Sequence, residues 1–162
     1  MSAPLEIERK YLIAYPDVAW LQSHPHVTVS EITQTYLVAP DGEERRVRAR
    51  REGDTVTYYH TVKRKVTAVT REELEKIITE SEYKALLAEA DPQKHPLSKT
   101  RFCLPQGGLC IEIDIYPFWN DKAVAEVELD CEDTPVSFPP EIKVIREVTG
   151  EKAFKNSELA KK

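Results

Sequence analysis

Polar and apolar residues alternate with period two through eight stretches of this chain, and β-forming residues are frequent in them. The pattern predicts strands over roughly 5–13, 31–38, 44–52, 55–64, 68–78, 99–104, 109–117 and 123–131. Ala39-Pro40-Asp41-Gly42, Glu52-Gly53-Asp54 and Pro105-Gln106-Gly107-Gly108 carry the chemistry of tight hairpin turns, which makes the flanking strands antiparallel neighbours. Helical spacing interrupts the strands three times. Thr79 followed by Glu82 forms a capping-box signature before Tyr83, Leu86, Leu87 and Ala90. Pro139-Pro140-Glu141 predicts a short helix through Ile142, Ile145 and Val148, and a last amphipathic stretch carries Phe154, Leu159 and Ala160. A weaker helical turn follows Pro16 and uses Trp20 and Leu21. Many strands with a few short helices indicate an α+β domain, mostly antiparallel β, spanning 1–162 as a single unit.

Residues i, i+2 and i+4 of a strand share a face, so each strand can be sorted into two. One face is charged or polar throughout. It carries Glu6, Glu8 and Lys10, then Gln34 with Tyr36, then Arg46, Arg48 and Arg50, then Thr61 with Lys63. Arg71, Glu73 and Glu75 continue it, followed by Lys99 with Arg101, Glu112 with Asp114, and Glu126 with Glu128. The opposite faces are apolar, as in Ile111, Ile113 and Ile115 or Ala125, Val127 and Leu129, and need a cover that the helices can supply.

Composition changes this picture little, and charge changes it a great deal. The chain has 162 residues, 41% hydrophobic, enough for one core without staples. No apolar run is long enough to span a membrane, and the first residues lack a signal peptide's apolar core, so the simplest compartment is the cytoplasm. Cys103, Cys110 and Cys131 have no CxxC spacing, which argues against a zinc site or a disulfide framework. The net charge of −5 excludes a global basic field for nucleic acid, yet it conceals 23 basic and 28 acidic residues.

Taken singly, each strand reads as part of an open sheet with its charged face in water. The set reads otherwise. Paired acids recur on four strands, three arginines form a ladder on another, and eight strands suffice to close a barrel. Closure brings acids and bases together around one cavity. Two carboxylates ~4 Å apart repel by ~4 kcal/mol at an effective dielectric near 20, so enclosed pairs call for a cation. An all-oxygen donor set suits Mg²⁺ or Mn²⁺, and the facing Arg and Lys residues suit a polyanion.

Glu6-Ile7-Glu8-Arg9-Lys10 then resembles the E-x-E-x-K signature of the CYTH proteins, the triphosphate tunnel metalloenzymes. Gln34-Thr35-Tyr36-Leu37, Val47-Arg48-Ala49-Arg50, Thr61-Val62-Lys63, Arg71-Glu72-Glu73-Leu74-Glu75, Lys99-Thr100-Arg101, Glu112-Ile113-Asp114 and Glu126-Val127-Glu128 match in order, and Val148-Thr149 with Phe154-Lys155-Asn156 resembles the closing motif. The resemblance implies an eight-stranded barrel enclosing a tunnel for a small-molecule triphosphate beside Mg²⁺ or Mn²⁺. It makes Glu6, Glu8, Glu126 and Glu128 the principal metal-facing carboxylates, with Glu73, Glu75, Glu112 and Asp114 open between holding a second metal, positioning water and orienting the basic residues by salt bridges. Lys10, Arg46, Arg48, Arg50, Lys63, Arg71, Lys99 and Arg101 become the phosphate grip, and Tyr36 with Lys99 the catalytic pair. The expected role of Tyr36 is proton acceptor, with its phenol pKa lowered by Lys99.

The short bacterial members it most resembles imply hydrolysis of inorganic tripolyphosphate. Thiamine triphosphate hydrolysis, a class IV-like adenylate cyclase and a non-catalytic polyphosphate or nucleotide sensor are the alternatives. Ala153 stands where many members carry an arginine. No nucleic-acid or membrane partner is expected, and a homodimer is left open. Lys152, Lys155, Lys161 and Lys162 read as a solvated helix face, and the four histidines receive no role.

Overall fold

The computed structural model describes residues 5–161. Eight antiparallel strands are β1 (Leu5–Ala14), β2 (Thr28–Leu37), β3 (Glu43–Glu52), β4 (Thr55–Lys65), β5 (Thr70–Ile78), β6 (Leu97–Gln106), β7 (Leu109–Ile115) and β8 (Lys122–Glu128). They run in the order β5-β4-β3-β2-β6-β7-β8-β1, and a β1–β5 pairing closes the barrel. The predicted closed, eight-stranded antiparallel architecture is present. Gly107 and Gly108 form a two-residue turn between β6 and β7, both with positive φ (55° and 82°), as a type I′ hairpin requires.

The register sets which charges meet. Glu6 lies opposite Arg71 and Glu8 opposite Glu128, while Lys10, Glu126 and Glu112 form one row across β1, β8 and β7. Tyr36 faces Arg46, Gln34 faces Arg48, Ile32 faces Lys99 and Arg101 faces Asp114. Each pair falls on the interior face.

Most apolar packing therefore lies outside the barrel wall, with a smaller cluster around Tyr36 inside it. The largest cluster joins Ile13, Phe102, Leu104, Ile111, Ile113, Ala125 and Val127 to Leu21 of helix α1 (Val18–Ser23) and to Ile142. Asp17 caps α1 by accepting from the Trp20 amide at 3.1 Å. Helix α2 (Glu80–Leu86) covers Leu37, Val47 and Ile78 through Tyr83 and Leu86, and it opens with the expected Thr79–Glu82 capping box. Near the end of the chain, α3 (Asn156–Leu159) leads into Ala160, which packs with Tyr36, Leu97, Tyr116 and Val124.

The helix expected after Pro139 is not formed. Val144–Glu147 is instead a ninth strand, β9, paired with Tyr11–Ile13 of β1. One edge of β1 is taken by β8; on the other, β5 pairs only with Leu5–Ile7, leaving backbone groups farther along that need partners. A strand satisfies them and a helix does not. Among the described residues, no helix is long and apolar enough to cross a membrane.

Candidate active site

The barrel encloses an open-ended cavity of about 160 Å³ lined almost wholly by charged side chains from β1 and β3–β8. Every phosphate-grip candidate lines it: Lys10, Arg46, Arg48, Arg50, Lys63, Arg71, Lys99 and Arg101. So do Tyr36 and the carboxylates Glu6, Glu8, Glu112, Glu126 and Glu128. Asp114 does not. It is fully buried in the wall, where Arg101 donates to it at 2.7 and 2.9 Å and Lys99 at 2.8 Å.

The carboxylates separate into two sets. Oxygens of Glu6, Glu8 and Glu128 lie within 4.8 Å of one another. That span is close to the ~4.2 Å across a six-coordinate Mg²⁺ site with ~2.1 Å bonds. Burial, then the nearby Glu126 carboxylate, pushes the Glu8 carboxyl up to about 7. A hard cation relieves this enclosed like-charge contact, so the three residues fit a divalent metal on charge, donor type and spacing. The second set is already neutralised. Glu126 pairs with Lys10 at 3.3 Å and Arg101 at 3.7 Å, which hold it well below the usual carboxylate range against the effect of burial. Glu112 pairs with Arg101 at 2.7 Å.

The cations divide likewise. Arg101 is shared among Asp114, Glu112 and Glu126, and Lys63 bridges Glu6 at 2.9 Å and Glu73 at 3.3 Å. Arg48 has one long contact to Glu75 at 3.4 Å, and Arg50 pairs with the exposed Glu52 at 2.8 Å and donates to Ser30 at 3.0 Å. Arg46 and Arg71 make no ion pair among the described residues. The Nε atoms of Arg46 and Arg48 are buried without an acceptor. Burial, and then Arg46 and Arg101, draws the Arg48 guanidinium down to about 10. Such donors lack an anion.

Tyr36 departs from expectation. Burial raises its phenol pKa far above the usual value, so the hydroxyl keeps its proton. Lys99 is bound to Asp114; the ammonium against the Tyr36 ring is that of Lys94, 4.9 Å from the centroid. Lys99 is itself the perturbed group, lowered to about 8 by burial, with Asp114 opposing the shift.

Three lining residues were not anticipated: Glu44, Lys155 and Asn156. Glu44 stands two positions before Arg46 on the same face, so alternation could have identified it. Lys155 and Asn156 lie where a 3₁₀ turn (Lys152–Phe154) meets α3, and nothing in their local pattern shows that this segment folds over the tunnel end. The segment is held there by Lys10 Nζ donating to the Phe154 carbonyl at 3.1 Å and by Tyr116 donating to Asn156. Ala153 is exposed, and Lys155 is the cation that reaches the cavity.

Residues 4–159 match the CYTH domain family. An inorganic triphosphatase of Nitrosomonas europaea is 31% identical over 159 residues, 96% of each chain. A crystal structure of an inorganic triphosphatase superposes with a TM-score of 0.53 at 28% identity, covering 96% of this chain and 93% of that one. A conserved Pyrococcus furiosus protein, 18% identical over 79% of this chain and 80% of its own, shares the fold with a TM-score of 0.59. With its charged tunnel, its ordered motifs and this match across nearly its whole length, the chain belongs to the CYTH domain family.

Proposed function

We propose that this protein is a divalent-metal-dependent triphosphatase whose preferred substrate is inorganic tripolyphosphate. The observation that carries the reading is the pairing of an acidic triad, Glu6, Glu8 and Glu128, with buried arginine donors that have no acceptor, all on one enclosed wall. A metal alone leaves the arginines unmatched, and an anion alone leaves Glu8 and Glu128 unmatched, Glu6 being already paired with Lys63. A metal–polyphosphate complex satisfies both. Tyr36 is the single aromatic residue lining the tunnel among those described, so little apolar surface is offered to a nucleobase. The similarity to an inorganic triphosphatase supports the same substrate.

Glu6, Glu8 and Glu128 would hold Mg²⁺ or Mn²⁺, which supplies charge neutralisation on phosphate oxygens. Arg46, Arg48, Arg50, Arg71 and Lys155 bind the remaining oxygens and hold the phosphates in line. Lys10, Lys63 and Arg101, already paired with carboxylates, fix the walls and add longer-range charge. Water attacks the terminal phosphorus, the bridging P–O bond breaks, and pyrophosphate leaves with orthophosphate as the second product. Lys99, at about 8, takes up and returns the proton, and Tyr36 donates a hydrogen bond to a phosphate oxygen.

The test is phosphate release from tripolyphosphate, ATP and thiamine triphosphate, each with Mg²⁺, Mn²⁺ or EDTA. Metal-dependent release that is greatest on tripolyphosphate and lost in Glu6→Gln is expected. Tight triphosphate binding without release would make the protein a sensor, and cyclic AMP formed from ATP would make it a cyclase.

A further inference from the structure

Gln34 is fully buried on the interior face of β2, yet it does not line the tunnel. Its Nε2 donates to the Tyr36 hydroxyl at 2.9 Å, and its Oε1 has no partner among the described residues. A side-chain amide with one atom matched and the other stranded in the interior is a cost to the fold, and such exceptions call for an explanation. Register supplies one. Tyr36 lies directly opposite Arg46, whose guanidinium has hydrogens to give and no lone pair with which to accept one. The ring itself is clamped by Leu97, Tyr116 and Val124, with the Lys94 ammonium over its face.

A phenolic oxygen accepts through two lone pairs and donates one hydrogen. Here the Gln34 amide nitrogen gives it a hydrogen, and neither that nitrogen nor the guanidinium opposite can accept one, so the phenol hydrogen is used by neither. Tyr36 lines the cavity, and the cavity is the direction left to that hydrogen. Were the amide turned with Oε1 toward Tyr36, the phenol would donate to Gln34 and none of its hydrogen would be offered to a ligand. The stranded Oε1 is then the consequence of an orientation that keeps the donor free.

We infer that Gln34 is a positioning residue, whose amide holds the Tyr36 hydroxyl as a hydrogen-bond donor aimed into the tunnel at a phosphate oxygen. The inference rests on the triphosphate reading of the tunnel. It assigns Gln34 an action that passes through Tyr36 and through no other group.

The experiment is a double-mutant cycle with Gln34→Leu and Tyr36→Phe, alone and combined. Two readouts are taken: kcat and KM on tripolyphosphate with Mg²⁺, and affinity for a non-hydrolysable imido analogue by calorimetry. Gln34→Leu should lower kcat/KM about tenfold, the loss expected for one misdirected hydrogen bond. Its melting temperature should stay at or above that of wild type, because the stranded oxygen is gone. In the Tyr36→Phe background it should change neither readout by more than about twofold. Gln34→Glu, whose carboxylate takes the phenol hydrogen, should lose more activity than Gln34→Leu. Independent, multiplicative losses in the double variant would overturn the inference, as would full activity of Gln34→Leu. If wild type binds the analogue without turning over tripolyphosphate, the hydrolase reading fails, and the affinity cycle alone still decides the role of Gln34 by the same criterion.

Discussion

Asp114 provides a quantitative check on the charge arrangement. It is fully buried and neutralises two buried cations, accepting two hydrogen bonds from Arg101 at 2.7 and 2.9 Å and one from Lys99 at 2.8 Å. Replacing it by Asn preserves volume but removes the charge, leaving Lys99 and Arg101 confronting each other. Breaking a buried pair by removing one partner destabilises by about 3–5 kcal/mol, a large part of the ~5–15 kcal/mol available to a domain. Glu112 and Glu126 retain contacts to Arg101, so the lower end, about 3 kcal/mol, is expected here. Urea unfolding at neutral pH measures the difference.

The pH dependence gives the same experiment a second axis. Against the opposing effect of burial, Arg101 and Lys99 hold the folded Asp114 carboxyl below its ordinary value of 3.8. Its contribution is therefore fully present above about pH 4 to 5 and disappears as pH falls through the lower folded value. The difference between wild type and Asp114→Asn should hold near its full value around pH 5 to 6 and should narrow below pH 4. A loss under about 1 kcal/mol, or a difference that widens on acidification, would refute the claim that this carboxylate is the counter-ion of the buried pair.

Lys155→Ala should raise KM for tripolyphosphate about tenfold, the effect of one charge-assisted phosphate contact, with urea stability unchanged, because Lys155 makes no ion pair among the described residues. Thr79→Ala removes the α2 capping box and should cost about 1 kcal/mol in urea unfolding while leaving phosphate release intact, since α2 covers the outside of the barrel. Gly108→Val places a β-branched residue at φ 82° in the β6–β7 turn and should cost about 1–2 kcal/mol, again read by unfolding.

Much of this protein is legible in strand alternation. The run Glu6, Glu8, Lys10 shares a face wherever β1 is placed, because a strand's side-chain period is fixed by its backbone geometry. The same holds for Arg46, Arg48, Arg50 and for Lys99 with Arg101, so the charged wall and its complement of acids are local properties of the chain. The Thr79–Glu82 box and the Gly107-Gly108 turn are local too, since their hydrogen bonds and φ angles involve neighbours in sequence.

What alternation lacks is the identity of the partner across the wall. Glu126 and Glu8 are alike in sequence, yet Lys10 and Arg101 neutralise one and leave the other raised to about 7, a distinction created by register across β1, β8 and β7. Asp114 shares a strand face with Glu112 but is taken into the wall by Arg101 and Lys99. Tyr36 keeps its proton because the barrel wall and the end of the chain bury it, and desolvation depends on everything that surrounds a group in space. For the same reason Val144–Glu147 is a strand: its spacing fits a helix, but the vacant stretch of the β1 edge offers hydrogen bonds that only an extended chain can complete. The sequence by itself determined which strand residues share the inner face; closure of the barrel decided which of them line the tunnel, which are neutralised and which remain open for a metal and a polyanion, because charge pairing and burial depend on distance in three dimensions.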